Sequence, residues 1–146
     1  MMIDSRLLPL AVIRANDEAV EGITRLQKLV FKTQKNILDE DEYEFEPHDY
    51  GPFSKELYND VDSLGEDDYI RCEIKETPSG NPKKVYSITD EGEQILDRFS
   101  DTDFERKFDD IDELKEKDND KPILELLSDI YAEYPEMAKN SKLDIV

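Results

Sequence analysis

Apolar residues recur along this chain with two different periods. Leu7, Leu8, Ala11 and Val12 fall on one face of a helix over residues 5–15, with Pro9 tolerated in its first turn. The polar stretch 16–22 breaks that pattern. Thr24, followed three residues later by Gln27, then has the capping-box arrangement for a second helix over about 25–36. On it Leu26, Leu29, Val30, Thr33 and Ile37 cluster within about 100° of arc. Arg25, Lys28, Lys32 and Lys35 share the opposite side, and no acid interrupts residues 25–36.

The stretch "LDEDEYEFEPHDYGPF", 38–53, opens on an acidic run and alternates Tyr43 and Phe45 with Glu44 and Glu46, as an extended segment does. Gly51 as a cap, Pro52 at the first helical position and Gly65 as a stop predict a third helix. Phe53, Leu57, Val61 and Leu64 are its buried stripe. "YIRCEIK", 69–75, alternates as a half-buried strand with Cys72 among the inward residues, which points to an inert core thiol. "TPSGNPKK" is a turn, and "VYSIT" a second strand with Tyr86 and Ile88 on one face. Thr89 or Asp90 caps the helix that follows, carrying Ile95, Leu96 and Phe99, and Gly92 permits its close approach.

Phe104, Phe108, Ile111 and Leu114 make a narrow stripe on an acid-crowded helix, and Pro122 stands where a last helix begins. The apolar arc over 123–134 is wide for a surface helix, so it packs against the domain or against a second subunit. With 146 residues and 37% apolar content the chain is expected to be one domain, a core over 5–99 with a helical extension over 101–146.

Charge narrows the function classes. Thirty-eight acids against nineteen bases give −19, which opposes nonspecific attraction to nucleic acid or anionic membrane unless cations are concentrated locally. Such acidity fits a solvated surface in a salt-rich, halophilic cytoplasm, and equally an ordinary acidic protein. One cysteine excludes an intramolecular disulfide, and the apolar run 7–13 is too short for a membrane span, so a cytoplasmic location is expected. His48 and Cys72 lie in different elements, and there is no Gly-rich phosphate loop, nucleophile elbow or zinc spacing. Neither an enzyme nor a cofactor or metal site is expected.

The order helix, helix, helix, strand, turn, strand, helix predicts an α+β, mainly α fold. It is that of a winged helix-turn-helix, three helices plus a two-stranded wing, with additional C-terminal helices. "YSITDEGEQIL", 86–96, resembles the strand-to-helix exit of winged-helix regulators of the PadR and MarR families. With "ITRLQKLVF" at 23–31, "YGPFSKELY" at 50–58 and "IYAEYPEMAKNSKL" at 130–143, nearly the whole chain resembles a family of small prokaryotic winged-helix proteins. It is similar in part to the Panacea-type antitoxin domain, which shares a lysine-bearing second helix and a Tyr-Gly-Pro turn.

These resemblances imply two alternative functions. The first is a transcriptional regulator that binds double-stranded DNA, dimeric through 123–134. Lys55, Tyr58 and Asn59 would lie near bases, and Lys75, Lys83, Lys84, Arg25 and Lys28 near phosphates. The second is an antitoxin-like or adaptor module that binds a protein through Arg25, Lys28, Lys32 and Lys35 or through the face of the third helix. The net charge of −2 over 52–64 disfavours that helix as a reader of DNA, so the wing would have to supply much of the attraction.

Overall fold

The first helix, α1 (Leu7–Arg14), is apolar on nearly every side, and the whole run from Leu7 to Ile13 is buried. In the computed structural model, which describes residues 4–38, 41–98 and 102–142, the other elements are arranged around it. Single 3-10 turns, Asp4–Arg6 and Ala15–Asp17, flank α1 and shorten it relative to the span read from the pattern.

β1 (Val20–Glu21) leads into α2 (Ile23–Asn36). Gly22, at φ 95°, is the N-cap, so the Thr24–Gln27 capping box does not form. Gln27 is used elsewhere: its Nε2 donates to Ser54 O and its Oε1 accepts from Ser54 N, both at 2.9 Å. Gln34 treats Tyr43 the same way, donating to its carbonyl and accepting from its N–H at 2.8 Å. Helix α2 is therefore an internal scaffold onto which the segment 41–54 is tied.

That segment forms a short hairpin, β2 (Glu46–His48) antiparallel to β3 (Gly51–Phe53), which moves the start of the third helix. Gly51 and Pro52 are strand residues. Ser54 caps α3 (Lys55–Glu66), its hydroxyl accepting from Leu57 N at 3.1 Å. Gly65 lies inside α3, and Asp68 makes the left-handed turn beyond it at φ 64°. Leu57, Val61 and Leu64 are buried as the pattern requires, whereas Phe53 is only half-buried.

β4 (Ile70–Glu76) and β5 (Pro82–Ile88) form a long antiparallel hairpin, and β1 pairs with the other edge of β5, placing Val20 opposite Tyr86. The hairpin projects past the core, so only Ile70 of β4 is buried. Cys72 is exposed, which corrects the expected core thiol. Thr89 caps α4 (Asp90–Asp97) by accepting from Gly92 N at 3.1 Å. Gly92 is needed there: a Cβ would stand 2.2 Å from Tyr69 O.

A 3-10 turn, Glu105–Lys107, precedes α5 (Phe108–Asp118), and α6 (Ile123–Glu133) follows. Ile111 joins the main core with Leu8, Leu29 and Leu57, while Leu126, Leu127, Ile130 and Tyr131 surround Phe31 in a second cluster. The wide apolar arc of α6 thus packs on its own chain. Its buried residues are not available for the dimer seam expected over 123–134. The fold is α+β and mainly helical, and among the described residues no helix is long and apolar enough to cross a membrane.

Candidate functional site

The four cations of α2 do not share a surface. Lys28 is 2% exposed and Lys32 8% exposed, because α2 packs against α1, α5, α6 and β3 together. Lys32 Nζ pairs with Asp118 Oδ2 at 2.7 Å, and Lys35 reaches Asp41 at 3.7 Å. Arg25, half-buried, donates to Asp118 O at 3.4 Å. The expected basic contact surface is therefore corrected: Lys28 and Lys32 are interior. Lys28 Nζ donates to Pro52 O at 2.9 Å, and burial pushes its amine down to about 7.

The remaining residues expected near DNA are accessible. Lys55 and Asn59 are exposed on α3, and Tyr58 is half-buried. Lys75, Lys83 and Lys84 are exposed on the hairpin, with Lys83 opposite Lys75 in the register; Lys75 also reaches Glu21 at 3.3 Å. Between α3 and the hairpin, however, runs a cleft of about 800 Å³ lined by Asp62, Glu66, Asp67, Asp68 and Glu91, against Arg71 and Lys84. Arg6 offsets Asp67 at 2.8 Å. The other carboxylates leave this face negative, which raises the free energy of bringing phosphates close.

On the β1 side of the hairpin the balance reverses. A groove of about 600 Å³ runs between the start of α2, the start of α6 and the outer end of β5. Ile23, Tyr50, Leu124 and Leu127 supply its apolar lining, and Arg25 and Lys83 its cations, with Lys84 shared between groove and cleft; Glu21 is its one carboxylate. Tyr50 and Leu124 are each 49% exposed, two of the three large apolar side chains exposed among the described residues. The first turn of α2, which no side chain caps, adds N–H groups with partial positive charge.

Local structure holds this groove in shape. Tyr50 stands on the turn between β2 and β3, which the C-terminal segment pins: Lys142 N donates to Asp49 O at 2.9 Å, and Asn140 Nδ2 to Pro47 O at 3.1 Å. Gly51 follows at φ 89°, and a Cβ there would lie 2.5 Å from Leu127 Cδ2. Tyr50 and Leu124 are not among the contact residues expected from the sequence. The available signal was an aromatic beside a Gly-Pro pair, and a leucine off the buried stripe of α6. Among the described residues, no group of three or more His, Cys, Asp or Glu side chains could hold a metal ion. Neither a family model nor a curated protein matches the chain.

Proposed function

We propose that this chain is a protein-binding module built on a winged-helix arrangement, and that its groove takes an acidic segment bearing apolar side chains. The order α1, β1, α2, α3, β4, β5 supports the winged-helix reading, with β1 completing the sheet beside the hairpin wing. One observation carries the functional reading. Exposed Tyr50 and Leu124 lie with Arg25, Lys83 and Lys84 in one groove, while the α3–hairpin face is crowded with carboxylates.

The chemistry divides the work. Exposed ion pairs contribute about 0–1 kcal/mol each, so the cations orient and select the partner. Covering Tyr50 and Leu124 supplies affinity at about 25 cal/mol per Å² of apolar surface removed from water. Tyrosine and arginine are side chains on which binding energy commonly concentrates.

Selection of random peptides displayed on phage tests the reading. Enrichment of Asp- and Glu-rich sequences with Leu, Ile or Phe is expected, with binding weakened in Lys83→Glu/Lys84→Glu and in Leu124→Asp. Enrichment of basic peptides, or indifference to those substitutions, would contradict it. A second reading, a DNA-binding transcriptional regulator, draws on exposed Lys75, Lys83 and Lys84 on the wing beside Lys55 and Asn59 on α3. It requires binding to mixed duplex that weakens steeply with salt and is lost in Lys83→Glu/Lys84→Glu.

A further inference from the structure

Beside the groove lies a second, smaller cavity of about 250 Å³, lined by Ile23, Thr24, Gln27, Lys28, His48 and Tyr50, among others. Ile23, Thr24 and Tyr50 line both, so the two cavities adjoin at these residues. Lys28 is the unusual member. It is interior, its Nζ donates one hydrogen bond, to Pro52 O, and no carboxylate among the described residues pairs with it. The one carboxylate that lines the cavity, Asp49, is paired with Lys142 at 3.3 Å. The buried, unpartnered Tyr131 hydroxyl and Lys28 Cε stand 3.6 and 3.2 Å from one point, where a Cβ on Gly51 would lie. An ammonium has three donors, and a buried one is stabilised by a carboxylate more than by a lone carbonyl.

We infer that this cavity is a carboxylate subsite, with Lys28 as its anchor, for an aspartate or glutamate of the same segment that fills the groove. The inference rests on the protein-binding reading and names a recognition element within it. An apolar side chain of the segment packs on Tyr50 and Leu124, and an adjacent acid turns inward past Tyr50. The anchoring is coupled to a proton. In the free protein burial favours the neutral amine, which titrates at about 7. A bound carboxylate favours the ammonium, so binding takes up a proton near neutral pH and weakens as pH rises. The other titratable groups around the cavity are His48, Asp49 and Tyr50 on the β2–β3 hairpin and Tyr131 on α6.

The test follows the lysine ε-methylene NMR signals of the full chain through a pH series. It is run alone, with phenylacetate, with a blocked pentapeptide of alternating leucine and glutamate, and with its glutamine counterpart. The Lys28 signal, assigned by its loss in Lys28→Met, is expected to titrate near 7 in the free protein. The glutamate peptide should raise that midpoint by about one unit or more, and the glutamine peptide should not. Lys28→Met should weaken glutamate-peptide binding about tenfold near pH 6 and abolish the accompanying proton uptake. An unmoved midpoint with the glutamate peptide overturns the anchor, and so does an equal rise with the glutamine peptide; a rise with phenylacetate supports a carboxylate subsite. Lys83→Glu/Lys84→Glu separates the two failures. If it binds the peptide as tightly as the parent, the groove reading falls; if it loses binding while the parent's Lys28 midpoint stays fixed, only the anchor falls.

Discussion

Lys32 Nζ lies 2.7 Å from Asp118 Oδ2 with both groups almost wholly out of water, and this pair fastens α5 to α2. Lys121 approaches the other carboxylate oxygen at 3.0 Å. Burial alone would raise the Asp118 carboxyl; hydrogen bonds from Lys32 and Lys121 outweigh it and hold the group below its usual value. A lowered acid stabilises the fold above its unfolded value, and that contribution is lost as pH falls through the folded one. Asp118→Asn leaves Lys32 buried beside a neutral amide and should cost about 3–5 kcal/mol in urea unfolding at neutral pH. Lys32→Met/Asp118→Leu removes both charges and should cost clearly less than Asp118→Asn.

Two other interior lysines give stability an alkaline dependence. Burial pushes Lys28 down to about 7 and Lys115 to about 8, although Glu18 and Asp112 pull the latter upward. Lys115 Nζ donates to the carbonyls of Ile13 and Glu18. Both amines hold a proton in the unfolded chain up to about 10.5. The unfolded state therefore binds more protons between these limits, and stability from these groups rises with pH from about 7 to about 10. Lys28→Met should stabilise the fold by about 1–3 kcal/mol near pH 6 and flatten the rise, as measured by denaturant unfolding across pH.

Three glycines separate strain from space. Gly51→Ala adds a methyl 2.5 Å from Leu127 Cδ2 at φ 89°, so it should cost about 1–3 kcal/mol and disturb the groove that Leu127 lines. Gly80 has φ 87° but open space around it, so Gly80→Ala should cost only the backbone strain, about 1 kcal/mol. Gly65 is helical and unobstructed, so Gly65→Ala should stabilise by about 0.5–1 kcal/mol. Thermal melts of the three variants check the order.

The chain writes some of this plainly. The stripe of Leu57, Val61 and Leu64, the close approach at Gly92 and the β4–β5 hairpin follow from spacing, and the cap falls on Thr89, one of the two positions, with Asp90, that the sequence leaves open. Helix α2 misleads because a period identifies an apolar face but not the burial of the other face. Lys28, Lys32, Gln27 and Gln34 carry apolar stems and interior hydrogen bonds that only α5, α6 and the 41–54 segment reveal. Cys72 misleads for the opposite reason: β4 alternates, yet it extends beyond anything that could cover it. The groove draws on residues 21–25, 50, 77–86 and 123–127, and no local motif spans such separations.

Charge reversal measures how much the groove depends on its cations. Lys83→Glu/Lys84→Glu should lower affinity for an acidic, leucine-containing peptide by about tenfold or more at low salt, with a smaller loss at high salt. Leu124→Asp should lower it at both. Fluorescence anisotropy of the labelled peptide across a salt series distinguishes the two patterns.

The central claim is tested most directly by backbone amide NMR of the full chain, titrated with that peptide and, separately, with a mixed-sequence DNA duplex. The peptide is expected to shift signals of residues 22–25, Tyr50, Lys83, Lys84 and 123–127, leaving Lys55 and Asn59 unchanged, with no response to the duplex. Shifts concentrated at Lys55, Asn59 and the hairpin lysines on adding duplex, with none from the peptide, would contradict it.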